Sequence, residues 1–197
     1  EDFDSALNIL DKLSKDCKEY APYHLTKATM TWKLANQARD SGRKGTEMFY
    51  QDAVNSFQRA VDLDPEPIEP RQMLAQAQYD ANLPEKAAAT IKSLLAHMQS
   101  QGGGSDEQRL AAYALGANAA SRAYSAAKSA GNESAELLTA ARTAMRWLES
   151  KEQLTLPLLK LWSTTEQWAG APAAATNIYI RASERAPNDF GLLESVV

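Results

Sequence analysis

The 197 residues are 44% hydrophobic and 23% charged, the mix of an ordinary globular chain of one or two domains, and that mix excludes a disordered polymer. Twenty-five acidic against 21 basic residues leave a net charge of −4, which argues against a nucleic-acid partner and against a polybasic membrane anchor. A single cysteine, Cys17, excludes an internal disulfide, and its distance in sequence from His24 and His97 leaves no zinc-ligand spacing, so no metal is expected.

No stretch approaches the ~18 apolar residues of a spanning helix, so membrane insertion is not expected. The start Glu1-Asp2-Phe3-Asp4 lacks the basic residues of a signal peptide, which leaves the cytoplasm and the bacterial periplasm equally open. The absence of an initiating methionine and the end at Val196-Val197 read as a piece of a longer protein or a processed chain.

In chain order, apolar residues recur at i, i+3, i+4 and i+7 with no sustained period of two, which predicts an all-α chain. Turn residues divide it: Ala21-Pro22, the stretch 41–45, Asp64-Pro65-Glu66-Pro67, Asn82-Leu83-Pro84, the stretch 101–105, Gly131-Asn132, Leu156-Pro157, Gly170-Ala171-Pro172 and Pro187-Asn188-Asp189. The predicted helices are 2–20, 23–40, 46–63, 68–81, 84–100, 105–130, 133–150, 156–169 and 172–186, with a tenth beginning near 189. Their short connections make successive helices antiparallel neighbours.

The helices repeat. Ala53-Val54-Asn55-Ser56-Phe57-Gln58-Arg59-Ala60 followed by Pro65 aligns with Ala175-Thr176-Asn177-Ile178-Tyr179-Ile180-Arg181-Ala182 followed by Pro187. Ala53, Phe57 and Ala60 recur 34 residues later as Ala87, Ile91 and Leu94. In that period and in its residues the chain resembles the tetratricopeptide repeat family, whose unit is a helix-turn-helix with a W-x2-L-G-x2-Y … A-x3-F … P pattern.

The match is clearest at 156–189, through Leu159, Trp162, Gly170, Ala175, Tyr179, Ala182 and Pro187. It continues at 68–101 through Leu74, Ala75, Ala87, Ile91 and Leu94, without the closing proline. Two further units are longer by about 12 residues: one with Leu25, Ala28, Trp32 and then Ala53, the other with Ala112, Leu115, Gly116, Ala119 and then Ala140, Ala144 and Trp147. Ala53 to Ala140 is 87 residues and Ala87 to Ala175 is 88, so the repeat reads as a pair. Sharing the extra residues as six per helix would raise each long helix ~9 Å above its neighbour. Helical periodicity through 32–38 favours taller helices over long loops.

The resemblance implies a single α-solenoid of antiparallel helix pairs forming a right-handed superhelix, with long and short units alternating. Its units are 22–67, 68–108, 109–155 and 156–189. Residues 2–20 are then a second helix from a preceding unit, carried by Phe3, Ala6, Leu10 and Leu13, and 190–197 begin a further helix.

Sites of chemistry are sparse. There is no G-x-G-x-x-G, H-E-x-x-H or G-x-S-x-G, so neither catalytic residues nor a cofactor are expected. Lys44-Gly45-Thr46 reverses the phosphate-loop order and reads as a basic turn with Thr46 as N-cap, and Gly102-Gly103-Gly104 before Ser105-Asp106 reads as linker plus cap. His24 and His97 are solitary, Cys17 reads as a passive thiol, Asn132-Glu133-Ser134 as a turn, and the carboxylates between Asp62 and Glu69 as solvated helix ends.

Function therefore rests on the resemblance, which implies a non-enzymatic scaffold holding a protein or peptide partner in a concave groove lined by first helices. Carried over residue by residue, the groove positions are Tyr23, Thr26 and Met30, then Glu69, Gln72, Gln76 and Tyr79. Leu110, Tyr113 and Ala117 follow, and then Lys160, Thr164 and Trp168. The lysine–asparagine pair by which some family members clamp a terminal carboxylate is absent from these positions, so the groove suits a neutral or mixed peptide. Two alternatives stay open: an accessory region of a larger enzyme or bacterial secretion or polysaccharide-export machine, and a homo-oligomer stacked through end units.

Overall fold

A computed structural model describes residues 3–185, and the regular structure among them is entirely helical. The elements are α1 (Phe3–Leu13), α2 (Ala21–Asp40), α3 (Thr46–Leu63), α4 (Ile68–Asp80), α5 (Pro84–Ser100), α6 (Asp106–Ser129), α7 (Ala135–Ser150), α8 (Leu156–Trp168) and α9 (Pro172–Arg185). Two compact units divide between Thr90 and Ile91, inside α5. The expected tenth helix lies outside the described residues.

Helix α1 stops at Leu13, earlier than expected, because Lys15-Asp16-Cys17-Lys18-Glu19 offers no large apolar side chain to bury. That segment turns instead, and charge ties it and α1 to the rest of the first unit: Asp11 of α1 pairs with Lys27 at 2.7 Å and Glu19 of the turn with Arg59 at 2.6 Å. His24 is half-buried and donates from Nε2 to the Lys18 carbonyl at 2.9 Å. Thr46 is the first residue of α3 rather than its cap. Gly45, in the left-handed region at φ 80°, holds the cap position. Helix α6 opens with a reciprocal capping box, in which Ser105 and Gln108 satisfy each other's backbone N–H groups.

In the first unit the α2–α3 hairpin and α4 enclose Ala28, Ala53, Val54, Phe57, Val61, Leu74 and Ala77. Ala28, Ala53 and Ala77 are fully buried, so helices meet there with only methyl groups between them, and Phe57 fills the space beside them. Trp32 meets Phe57 edge to face, 6.4 Å between centroids. The second unit is built the same way, with Ala117, Met145, Leu148, Leu159, Trp162, Ile178 and Ala182 in its core.

The long units are long because their helices are. Segments 41–45 and 130–134 are short turns, while α2 and α6 have 20 and 24 residues against 13 in each of α4 and α8. The extra length is not shared equally: most of it sits in the first helix of each long pair. At 1.5 Å per residue α2 outruns α4 by about 10 Å, and α6 outruns α8 by about 16 Å.

Burial also corrects the frame of the repeat. In α7 the buried residues are Ala141, Ala144, Met145 and Leu148, whereas Ala140 and Trp147, at either end of the frame expected from sequence, are only half-buried. Ala53, Phe57 and Ala60 therefore correspond to Ala141, Met145 and Leu148, 88 residues on, the same interval as Ala87 to Ala175. Helices α4 and α8 start and end 88 residues apart. Each buried position of α4, namely Pro70, Leu74, Ala75, Ala77 and Gln78, has a buried counterpart in α8: Leu158, Trp162, Ser163, Thr165 and Glu166. Their closing turns match as well. Asn82 (φ 60°) and Gly170 (φ 70°) take the left-handed conformation that asparagine and glycine tolerate. Leu83 and Ala171 then donate back to Gln78 and Glu166 carbonyls, both at 2.9 Å.

The corrected frame has a direct test. Ala141→Leu forces a side chain into a closed contact and is expected to cost ~1–3 kcal/mol in urea denaturation, whereas Ala140→Leu is expected to cost under ~0.5 kcal/mol. Equal costs would contradict the frame.

Candidate partner-binding face

In the first unit the expected groove positions separate by burial. Tyr23 is buried, with its ring edge-on to His24 at 5.0 Å, and His24 in turn bonds the Lys18 carbonyl of the segment before α2. It is not an open anchor, contrary to the expectation from sequence. Thr26 is exposed but turns its hydroxyl to the Pro22 carbonyl at 2.8 Å, and Met30 is half-buried. On α4, Glu69 is exposed, while Gln72, Gln76 and Tyr79 are half-buried.

Gln76 points to a residue that the sequence reading missed. Its Nε2 donates to Asp80 Oδ1 at 3.0 Å, and Trp32 Nε1 of α2 donates to Asp80 Oδ2 at 2.9 Å. The signal was available: Gln72, Gln76 and Asp80 are spaced i, i+4, i+8, one polar stripe along a helix. Beside this stripe the Tyr50 hydroxyl donates to Asn36 Oδ1 at 2.7 Å, and the Arg39 guanidinium lies over the tyrosine ring. Burial pushes the Tyr50 hydroxyl's pKa above its ordinary value, with Arg39 acting in the opposite sense.

In the second unit Lys160, Thr164 and Trp168 form the equivalent stripe on α8. Lys160 is half-buried, Thr164 bonds to the Lys160 carbonyl, and Trp168 is 41% exposed at the end of the helix. The α6 positions depart from expectation. Ala117 is buried under α8, and Leu110 is half-buried against the same core. Tyr113 stacks on Trp147 of α7, 4.0 Å between centroids and 14° between planes, with Lys151 Nζ 5.9 Å from the indole.

Behind the α8 stripe lies a buried ion pair. Glu166, whose side chain is 5% exposed, accepts from Arg142 Nε at 2.8 Å and Nη2 at 2.5 Å, and from Trp162 Nε1 at 3.2 Å. The fork of Arg142 matches both carboxylate oxygens, which is why the pair tolerates burial. Arg142 holds the Glu166 carboxyl below its usual range against the opposing effect of desolvation, and Glu166 in turn raises Arg142. The first unit has Val54 and Gln78 at the corresponding positions, and Gln78 takes a hydrogen bond from Thr90 at 2.7 Å instead.

Among the described residues no cluster of His, Cys, Asp and Glu has the makings of a metal site, and no helix is long and apolar enough to cross a membrane. Residues 50–102 match the tetratricopeptide repeat family model. The matched segment is similar to a tetratricopeptide repeat. It contains most of α3, then α4 and α5, and so includes the short unit of the first pair rather than 156–189, where the sequence resemblance looked clearest. Two crystal structures of MamA share the fold. One has a TM-score of 0.64 at 16% identity over 96% of this chain and 86% of that one, and the other 0.61 at 16% over 96% and 92%. Comparison with curated proteins gives no sequence match.

The ion pair makes stability in the repeat at α7–α8 depend on pH. A carboxyl whose pKa is depressed on folding stabilises above the ordinary carboxylate value, and that contribution is lost as pH falls through the lowered one. Arg142→Leu strands the Glu166 charge and is expected to cost about 3 kcal/mol at pH 7. Without Arg142, desolvation raises the Glu166 carboxyl, so the difference from wild type narrows as pH falls and the stranded carboxyl protonates first. Urea denaturation at pH 7 and pH 3.5 checks this, and a gap independent of pH would contradict it.

Proposed function

We propose that the chain is a non-enzymatic interaction scaffold that holds an extended segment of a protein partner against its first helices. The observation that carries this reading is the pair of stripes at matching positions of α4 and α8. Gln72, Gln76 and Asp80 stand on one, and Lys160, Thr164 and Trp168 on the other.

Both stripes lie on short, well-packed helices whose other faces are buried by Leu74, Ala77, Leu159 and Trp162, so the outward groups are held on a rigid base. An exposed tryptophan at a helix end, beside polar groups able to bond a peptide backbone, has the character of an interface anchor. The tetratricopeptide repeat match at 50–102 and the fold shared with MamA support a scaffold of this class. The proposed units are those expected from sequence, 22–67, 68–108, 109–155 and 156–189.

Selection of displayed peptides against the whole chain tests the reading. Peptides are expected to bind, and Trp168→Ala is expected to weaken the best of them about tenfold, with a thermal midpoint within ~2 °C of wild type. Equal binding by wild type and variant would remove Trp168 from the site, and a selection that returns no binder would remove the site itself.

A further inference from the structure

We infer that the partner's contact with the first unit is a cationic side chain, received by Asp80. This rests on the proposal above that the first helices hold the partner. The carboxylate of Asp80 is half-buried at the end of α4, walled on one side by Trp32 of α2.

Both of its oxygens are fixed, one by the Trp32 indole N–H of that wall and the other by the Gln76 amide. Both donors are neutral. Among the described residues no cation pairs with Asp80, and the Arg39 guanidinium, which reaches the neighbouring Tyr50 ring, pairs with Asp40 at 3.4 Å. A carboxylate oriented in this way keeps its full negative charge and further lone pairs for an incoming donor.

The second unit shows what the alternative looks like. There the carboxylate is Glu166, two residues earlier in the repeat, and it is neutralised internally by Arg142. The position equivalent to Asp80 is Trp168, which carries no charge and is exposed. The first unit therefore presents an uncompensated anion at the place where the second presents an apolar ring. The chain's net charge of −4 brings a cationic partner in rather than repelling it.

An NMR titration of the whole chain, read at the Trp32 indole N–H, tests the assignment. The probes are a short glycine-serine peptide carrying arginines and its counterpart with glutamates. The arginine peptide is expected to shift the indole resonance saturably and the glutamate peptide to leave it in place. Asp80→Asn, which keeps a carbonyl for Trp32, is expected to weaken binding about tenfold. Neutralising Asp62 and Asp64 together is expected to leave it unchanged, which separates Asp80 from general attraction to an acidic chain. If Asp80→Asn fails to fold, the wild-type titration decides alone. A silent indole, or equal weakening by the Asp62/Asp64 variant, would overturn the inference. If peptides selected on the whole chain still depend on Trp168 while the Trp32 indole stays silent, the partner face stands and the cation site alone is removed.

Discussion

A helix pair of this length cannot bury its own apolar stripe, and the remainder of the structure follows from that constraint. Closure needs a neighbouring helix at short range, which requires small side chains where axes approach: Ala28, Ala53 and Ala77 in one unit, Ala117, Ala144 and Ala182 in the other. Large side chains such as Phe57, Met145 and Leu159 then fill the remaining volume. With alanine at the contacts, the faces left over are set by the helix period and carry whatever polar or aromatic residues the sequence supplies.

The two units use one skeleton and decorate it differently. Helices α4 and α8 share start, end and closing turn, 88 residues apart, and every buried position of α4 is buried in α8, yet Gln78 is answered by Glu166 and Asp80 by Trp168. The exchange moves the carboxylate from the outer stripe to the interior and brings Arg142 in to neutralise it. Two chemically distinct faces thus arise on equivalent helices at little structural cost, because a helix that ends on a left-handed residue does not depend on the side chain two positions earlier. The taller α2 adds to this by carrying Trp32, which bonds Asp80 at the end of α4, and Asn36, which accepts from the Tyr50 hydroxyl of α3.

Much of this was legible in the sequence. Turn residues marked the ends of α3 and α5 to the residue, and the recurrence of Ala53, Phe57 and Ala60 as Ala87, Ile91 and Leu94 pointed to the repeat. Where the reading slipped, local pattern competed with packing. Ala140 and Ala141 are chemically identical, so only burial separates them, and Tyr23 is buried beside His24, whose bond to the Lys18 carbonyl the sequence did not reveal. The site was less legible than the fold. Spacing puts Asp80 on one stripe with Gln72 and Gln76, but the bond from Trp32, 48 residues earlier, is not legible there, and the partners Arg142 and Glu166 are likewise distant in sequence. Such pairs leave no periodic trace.

The central claim is that recognition belongs to the first helices and support to the second. Hydrogen exchange of the chain with and without a saturating bound peptide tests it most directly. Slower exchange is expected in α4 and α8, around 72–80 and 160–168, with α3 and α7 unchanged. Protection confined to α3 and α7 would contradict the account.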